Sequence, residues 1–100
     1  MGSQTPQSLD AEIAKSAARQ WGSQGITVNC VAPGRIDTPR LTEIYGEDGP
    51  PPADLEQIPA RRLGSPREFG DVVCFLASAR ASYVSGTTVL VDGGMSRGLQ

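Results

Sequence analysis

Apolar positions Leu9, Ile13, Ala17 and Trp21 recur every four residues, the period of one stripe along a helix. Thr5 or Ser8 offers a cap at its start, with Pro6 tolerated in the first turn. Asp10 and Glu12 favour the positive end of the dipole, and Gly22 suits the C-terminal cap. Residues 1–8 are polar and expected to be loose. After the turn Ser23-Gln24-Gly25, the nearly unbroken β-preferring run Ile26–Val31 predicts a strand covered on both faces. The pattern fails over 39–58: Leu41–Tyr45 allows one helical turn, and Gly49-Pro50-Pro51-Pro52 argues against regular structure around it. Ser65, Pro66 and Glu68 form a capping box with proline at the first helical position. Phe69, Val72, Val73, Phe75 and Leu76 give the helix that follows, to about Ser78, a broad apolar face. Thr87–Val91 predicts the second strand, closed by Asp92-Gly93-Gly94, with 95–100 as a tail. The order helix, strand, loop, helix, strand is an α/β arrangement with one right-handed βαβ unit.

The segment Ile26-Thr27-Val28-Asn29-Cys30-Val31-Ala32-Pro33-Gly34-Arg35-Ile36-Asp37-Thr38 is the most informative. Pro33 cannot donate to a ladder and Gly34 can take a positive φ, so the strand is expected to stop and turn there. That leaves the backbone groups of residues 34–38 unpaired at a strand end, the place where open α/β sheets bind ligands. Read from the residues alone, the segment is a strand-ending turn with Thr38 capping a helix that starts at Pro39.

Composition narrows the chemistry. The chain has 100 residues, 38% of them hydrophobic and 20% charged, with a net charge of −2, which suits a small globular domain or a piece of a larger one. No apolar run approaches a membrane span, and nine cationic residues against eleven acidic ones argue against nucleic acid as a partner. Histidine is absent, which removes the usual general base and the commonest metal ligand. Cys30 and Cys74 have no thiol or histidine near them in sequence, so a metal site is not expected. Both read as buried free thiols suited to a reducing, cytoplasmic setting. Arg61-Arg62 reads as a solvated or salt-bridged pair.

Three blocks in order, Ile26–Thr38, Arg62-Leu63-Gly64-Ser65-Pro66-Arg67-Glu68 and Val89-Leu90-Val91-Asp92-Gly93-Gly94, closely resemble the C-terminal part of short-chain dehydrogenases/reductases, in the 3-oxoacyl-carrier-protein-reductase-like subgroup. The resemblance covers about residues 9–94. It implies the C-terminal portion of a doubly wound Rossmann-type parallel sheet and an NAD(P)(H)-dependent oxidoreductase acting on an alcohol or carbonyl. NAD or NADP would lie against Pro33, Gly34, Ile36 and Thr38, the Ile36 main chain bonding the carboxamide and Thr38 reaching the carboxamide or the pyrophosphate. The loop 39–58 would cover substrate, with Leu41, Ile44 and Tyr45 giving apolar contact. The helix at 66–78 and the last strand would pair with a second copy, making an oligomer.

Two parts of the family pattern are missing. No glycine-rich strand-to-helix turn precedes the first strand. The catalytic tyrosine followed four residues later by lysine is also missing. Lys15, the only lysine, has Ala11 at the tyrosine position; Gly49 follows Tyr45 and Thr87 follows Tyr83 at the lysine position. By spacing from Trp21-Gly22, Ser3 and Gln7 fall roughly where the pair belongs. No catalytic residue is therefore expected in this chain, and alone it is expected to be inactive. The alternative expectation is a non-catalytic interaction module, pairing through an exposed strand edge and the helix at 66–78.

Overall fold

The structure is a computed structural model that describes residues 6–96, with side chains from Leu9 onward. In chain order it contains α1 (Pro6–Trp21), β1 (Cys30–Pro33), α2 (Pro39–Tyr45), α3 (Pro52–Glu56), α4 (Pro66–Leu76) and β2 (Thr88–Val91), with 3-10 turns at Gly22–Gln24 and Ala79–Ala81. β1 and β2 pair in a two-stranded parallel sheet. The fold is α/β, with the helix, strand, loop, helix, strand order expected. The described residues divide into two compact units, residues 6–32 with 73–89 and residues 33–72 with 90–96.

In the first unit, α1 starts at Pro6, before Leu9; the expected looseness of residues 1–5 lies outside the described residues. The apolar stripe has the right period and the wrong face. Ala14 is 1% exposed, whereas Leu9, Ile13 and Trp21 are 46%, 66% and 41% exposed. The helix approaches its neighbours through small residues: a Cβ on Gly86 would sit 3.5 Å from the Ala18 Cβ. The helix also does not end on a left-handed Gly22. It tightens into the 3-10 turn, and the left-handed residue is Gly25, at φ 80°, whose N–H donates to the Gly22 carbonyl at 3.0 Å.

The first strand begins later than Ile26. Over Val28 and Asn29, side chains share the pairing with the main chain: the Val28 carbonyl accepts from the Gly86 N–H at 2.7 Å, and the Ser85 hydroxyl accepts from the Val28 N–H at 3.1 Å. The Asn29 amide donates to the Val84 carbonyl at 3.0 Å, and its carbonyl accepts from the Thr87 N–H at 3.2 Å. Asparagine competes with backbone pairing in this way, so regular pairing starts only at Cys30, whose N–H donates to the Thr87 carbonyl at 2.9 Å.

In the second unit, 39–58 is more regular than its sequence suggests. The proline run starts a helix instead of forbidding one, because Pro52 occupies the first position of α3, where its missing N–H costs nothing. Ile58 is 2% exposed, and the Ala60 N–H donates to the Gly93 carbonyl at 3.0 Å. The capping box at α4 forms in both directions: the Glu68 N–H donates to the Ser65 hydroxyl at 3.1 Å and the Ser65 N–H to the Glu68 carboxylate at 3.0 Å. β2 closes on an Asp92 turn, whose carboxylate accepts from the N–H groups of Gly94 at 2.9 Å and Ser96 at 3.0 Å.

Among the described residues only Ala14, Ile58 and Ala81 are buried hydrophobics, and α4 has none. The cysteines depart from expectation accordingly. Cys74 is exposed on α4, and Cys30 is half-buried with its thiol donating to the Asp10 carbonyl at 3.2 Å.

Candidate functional site

The segment from Pro33 to Thr38 lies within the second unit and is built by three local constraints. Gly34 extends the ladder one residue past Pro33, its N–H donating to the Val91 carbonyl at 2.9 Å. Its glycine identity comes from close approach, not from a positive φ: a Cβ there would lie 2.6 Å from the Asp92 Cβ and 2.7 Å from the Asp92 Cα. Side chains cannot occupy that space.

The next constraint is a parallel bridge between Ile36 and Gly64. The Gly64 N–H donates to the Arg35 carbonyl at 3.0 Å, and the Asp37 N–H donates to the Gly64 carbonyl at 2.7 Å. The expectation that residues 34–38 are all unpaired is thus corrected, because Gly64 is brought alongside as a short strand mimic. In a parallel bridge the central residue is held by its neighbours' bonds, and its own N–H and C=O point to the other side. Ile36 holds that place, and neither of its main-chain groups is used in the bridge.

Thr38 supplies the third constraint. It sits at the cap position of α2 with extended backbone (φ −125°, ψ 163°), yet its side chain makes no capping bond. The helix is served instead by Pro39 at its first position and by the Thr38 carbonyl, which accepts from the Thr42 N–H at 3.2 Å. Of the two readings of Thr38, the structure disfavours the cap and leaves the hydroxyl available.

Pro33, Gly34, Ile36 and Thr38 all line one cavity of about 440 Å³, joined by Leu41 from α2 and by Pro66 and Phe69 from α4. Its character is apolar, with a few polar groups from the strand end, and its size is in the range of small-molecule sites. Leu41 takes its expected place. Ile44 does not, being 64% exposed and outside this cavity, while Tyr45 turns its phenol oxygen to the Arg35 guanidinium at 3.5 Å. Gly64 and Phe69 were legible in sequence only as a turn and a helix face. The clue to Gly64 was its place directly before the capping box, where a glycine allows a second chain to approach: a Cβ on it would fall 2.9 Å from the Ile36 Cδ1.

Arg62 and Glu68 form a two-pronged ion pair at 2.8 and 2.9 Å. Hydrogen bonding from Arg62, then from the Ser65 N–H, pulls the Glu68 carboxyl from 4.5 down to about 2, and the bond to Glu68 in turn raises Arg62. Both groups are bound up in holding the start of α4, as a structural role requires.

No proton-transfer pair is assembled among the described residues. The Lys15 ammonium donates to the Gly86 carbonyl at 3.2 Å, beside a separate surface cavity in the first unit lined by Ala18, Arg19 and Tyr83. Ser3 and the side chain of Gln7 lie outside the described residues. No group of three or more His, Cys, Asp or Glu is placed to hold a metal among those described, and no described helix is long and apolar enough to cross a membrane.

Residues 11–96 match the family model described as Enoyl-(Acyl carrier protein) reductase. The chain is 49% identical over 81 residues to the 3-oxoacyl-(acyl-carrier-protein) reductase FabG of Vibrio cholerae, covering 81% of this chain and 32% of that protein. It is 48% identical over 86 residues to the 3-oxoacyl-(acyl-carrier-protein) reductase MabA of Mycobacterium bovis, covering 86% and 34%. Among solved structures it superposes on YwfH, an NADPH dependent reductase involved in bacilysin biosynthesis, with a TM-score of 0.78 and 32% identity. That match covers 89% of this chain and 37% of YwfH. The chain therefore spans about a third of the length of the relatives it matches.

Proposed function

The chain belongs to the short-chain dehydrogenase/reductase family, as a 3-oxoacyl-acyl-carrier-protein-reductase-like partial chain, and from that premise we propose that it supplies the C-terminal portion of an NAD(P)(H)-dependent reductase of a carbonyl substrate. The cofactor-facing wall in this reading is Pro33, Gly34, Ile36 and Thr38. The observation that carries it is the convergence of available groups on one cavity: the free main chain of Ile36 and the uncapped Thr38 hydroxyl above an apolar floor. A nicotinamide carboxamide needs one donor for its oxygen and one acceptor for its NH2, and Ile36 offers both. These residues fit the group, which when bound supplies the hydride. The protein groups position it and exclude water, which are orienting roles and not proton transfer.

The proton-transfer machinery is not among residues 9–96, so this chain alone is expected to show no turnover. The substrate class, a 3-oxoacyl thioester or a related small alcohol or carbonyl, takes its support from the names of the relatives. A cytoplasmic setting is supported by the two unpaired cysteines. A second reading, an interaction module that pairs with another copy, is favoured by Val73 and Phe75, 42% and 48% exposed on a helix without a buried residue.

The test is titration of the purified chain with NADH and NADPH, followed by nicotinamide fluorescence and by thermal shift. Saturable binding with a raised transition is expected, and T38V should weaken it about fivefold by deleting one hydrogen bond. Absence of saturable binding, or a T38V titration identical to wild type, would remove the assignment of this wall and leave the interaction module.

A further inference from the structure

We propose that Asp48-Gly49, in the turn between α2 and α3, is a site of spontaneous covalent modification, at which aspartate converts to isoaspartate through a succinimide.

Six aspartates occur in the chain, and four are followed by Ala11, Thr38, Leu55 or Val72, whose side chains crowd the main-chain nitrogen that must react. Only Asp48 and Asp92 precede glycine, which leaves that nitrogen open to approach. The same dipeptide thus stands in two different surroundings.

Asp92 is tied down. One carboxylate oxygen accepts from the Gly94 N–H at 2.9 Å and the other from the Ser96 N–H at 3.0 Å. Gly93 is held as well: its carbonyl accepts from the Ala60 N–H at 3.0 Å, and a Cβ on it would lie 2.9 Å from the Ile58 Cγ2. Turning the Asp92 carboxyl onto the Gly93 nitrogen breaks two charge-assisted bonds.

Asp48 has none of these restraints. It is exposed, and among the described residues its carboxylate accepts no hydrogen bond. The Gly49 N–H meets the Gly46 carbonyl only at 3.3 Å, past the usual range for such a bond. A Cβ on Gly49 would meet nothing within 4 Å. The flanking helices have seven and five residues and bury none of them, so the turn can rotate at little cost.

The step is a ring closure. The Gly49 nitrogen attacks the Asp48 Cγ, a C–N bond forms, and the side-chain hydroxyl leaves with the amide hydrogen as water. Water then opens the five-membered succinimide at either carbonyl. Opening at the Asp48 main-chain carbonyl leaves the chain running through the side chain, as isoaspartate; opening at Cγ restores aspartate. Nothing is oxidised or reduced, and the water taken up equals the water released. The product carries one extra methylene in the main chain, so the Gly49–Gly46 bond cannot persist in its present register.

Ageing of the full chain at neutral pH, followed by peptide mapping, tests this. Isoaspartate is read by electron-transfer fragmentation, and independently by methyl transfer from S-adenosylmethionine with an L-isoaspartyl O-methyltransferase. In the native chain isoaspartate should accumulate at position 48 at least about tenfold faster than at 92, the factor that two lost hydrogen bonds impose. In urea, where neither turn is held, the two sites should react within about twofold of each other. D48E should abolish the product at 48 and leave the rate at 92 unchanged, because glutamate closes a six-membered ring far more slowly. D48N should react faster than wild type through the same ring, losing ammonia in place of water.

No isoaspartate at 48 in the native chain, or equal native rates at 48 and 92, would overturn the proposal. So would a difference in urea as large as the native one, since sequence and not the two surroundings would then set the rates. A D48N chain that reacts no faster than wild type would show that the turn itself blocks the ring, and would overturn it too.

Discussion

At the scale of single residues, the strand end is held by close approach. Gly34 has no room for a side chain against Asp92, so Gly34→Ala forces either the strand end or the Asp92 turn to move. Overpacking of this kind costs about 1–3 kcal/mol. A lowered midpoint in urea unfolding would show it, and an unchanged midpoint would mean that the two chains separate without cost. Glu68 makes a second prediction. Its carboxyl is held at about 2, below its ordinary 4.5, so the folded state binds its proton less readily than the unfolded state. The pair with Arg62 therefore stabilises the fold above 4.5, and that contribution is lost as pH falls from there toward 2. In a thermal scan series over this window, E68Q should lack that part of the acid-induced loss. The pair is exposed, so added salt should shrink the difference.

At the scale of elements, α4 and the capping box show where sequence and structure agree most closely, because the signals are local. Ser65, Pro66 and Glu68 satisfy one another within a single turn, and nothing distant can change that. Ser65→Ala should cost about 1 kcal/mol by removing the acceptor of the Glu68 N–H. Circular dichroism at 222 nm through a thermal ramp would show α4 melting earlier. The strands are less local. The β-preferring run 26–31 was legible, but the side chains of Asn29 and Ser85 interrupt the ladder at its start, each bonding a partner more than fifty positions away. Segment 39–58 likewise turned on its anchors: a proline run reads as a breaker until its last member becomes the first residue of a helix.

For the whole molecule, the balance between exposed and buried apolar groups governs behaviour. Among the described residues, large side chains such as Ile13, Trp21, Val73 and Phe75 stay in solvent while three small or medium hydrophobic residues are buried. Among the described residues β1 has β2 as its only strand partner, which leaves its other edge open to pairing. Intact domains are stable by only about 5–15 kcal/mol. Purified alone, the chain is expected to self-associate, and sedimentation velocity with amide dispersion would show it. A monodisperse monomer with well-dispersed amide signals would count against this expectation.

Periods and local chemistry were enough to fix the order of elements outside 39–58, the capped start of α4, the strand end at Pro33-Gly34 and the family resemblance, because each depends on residues within a few positions of one another. The absence of a tyrosine-lysine pair at helical spacing among residues 9–96 was legible in the same way. Tertiary structure decided which face of α1 is buried, since a hydrophobic stripe marks a helix without saying what stands opposite it. It decided that Gly64 pairs with Ile36 and turns the Ile36 main chain outward, and that Thr38 leaves its hydroxyl available. Each of these depends on chain segments brought together from a distance, where van der Waals fit and hydrogen-bond direction, not local preference, set the outcome.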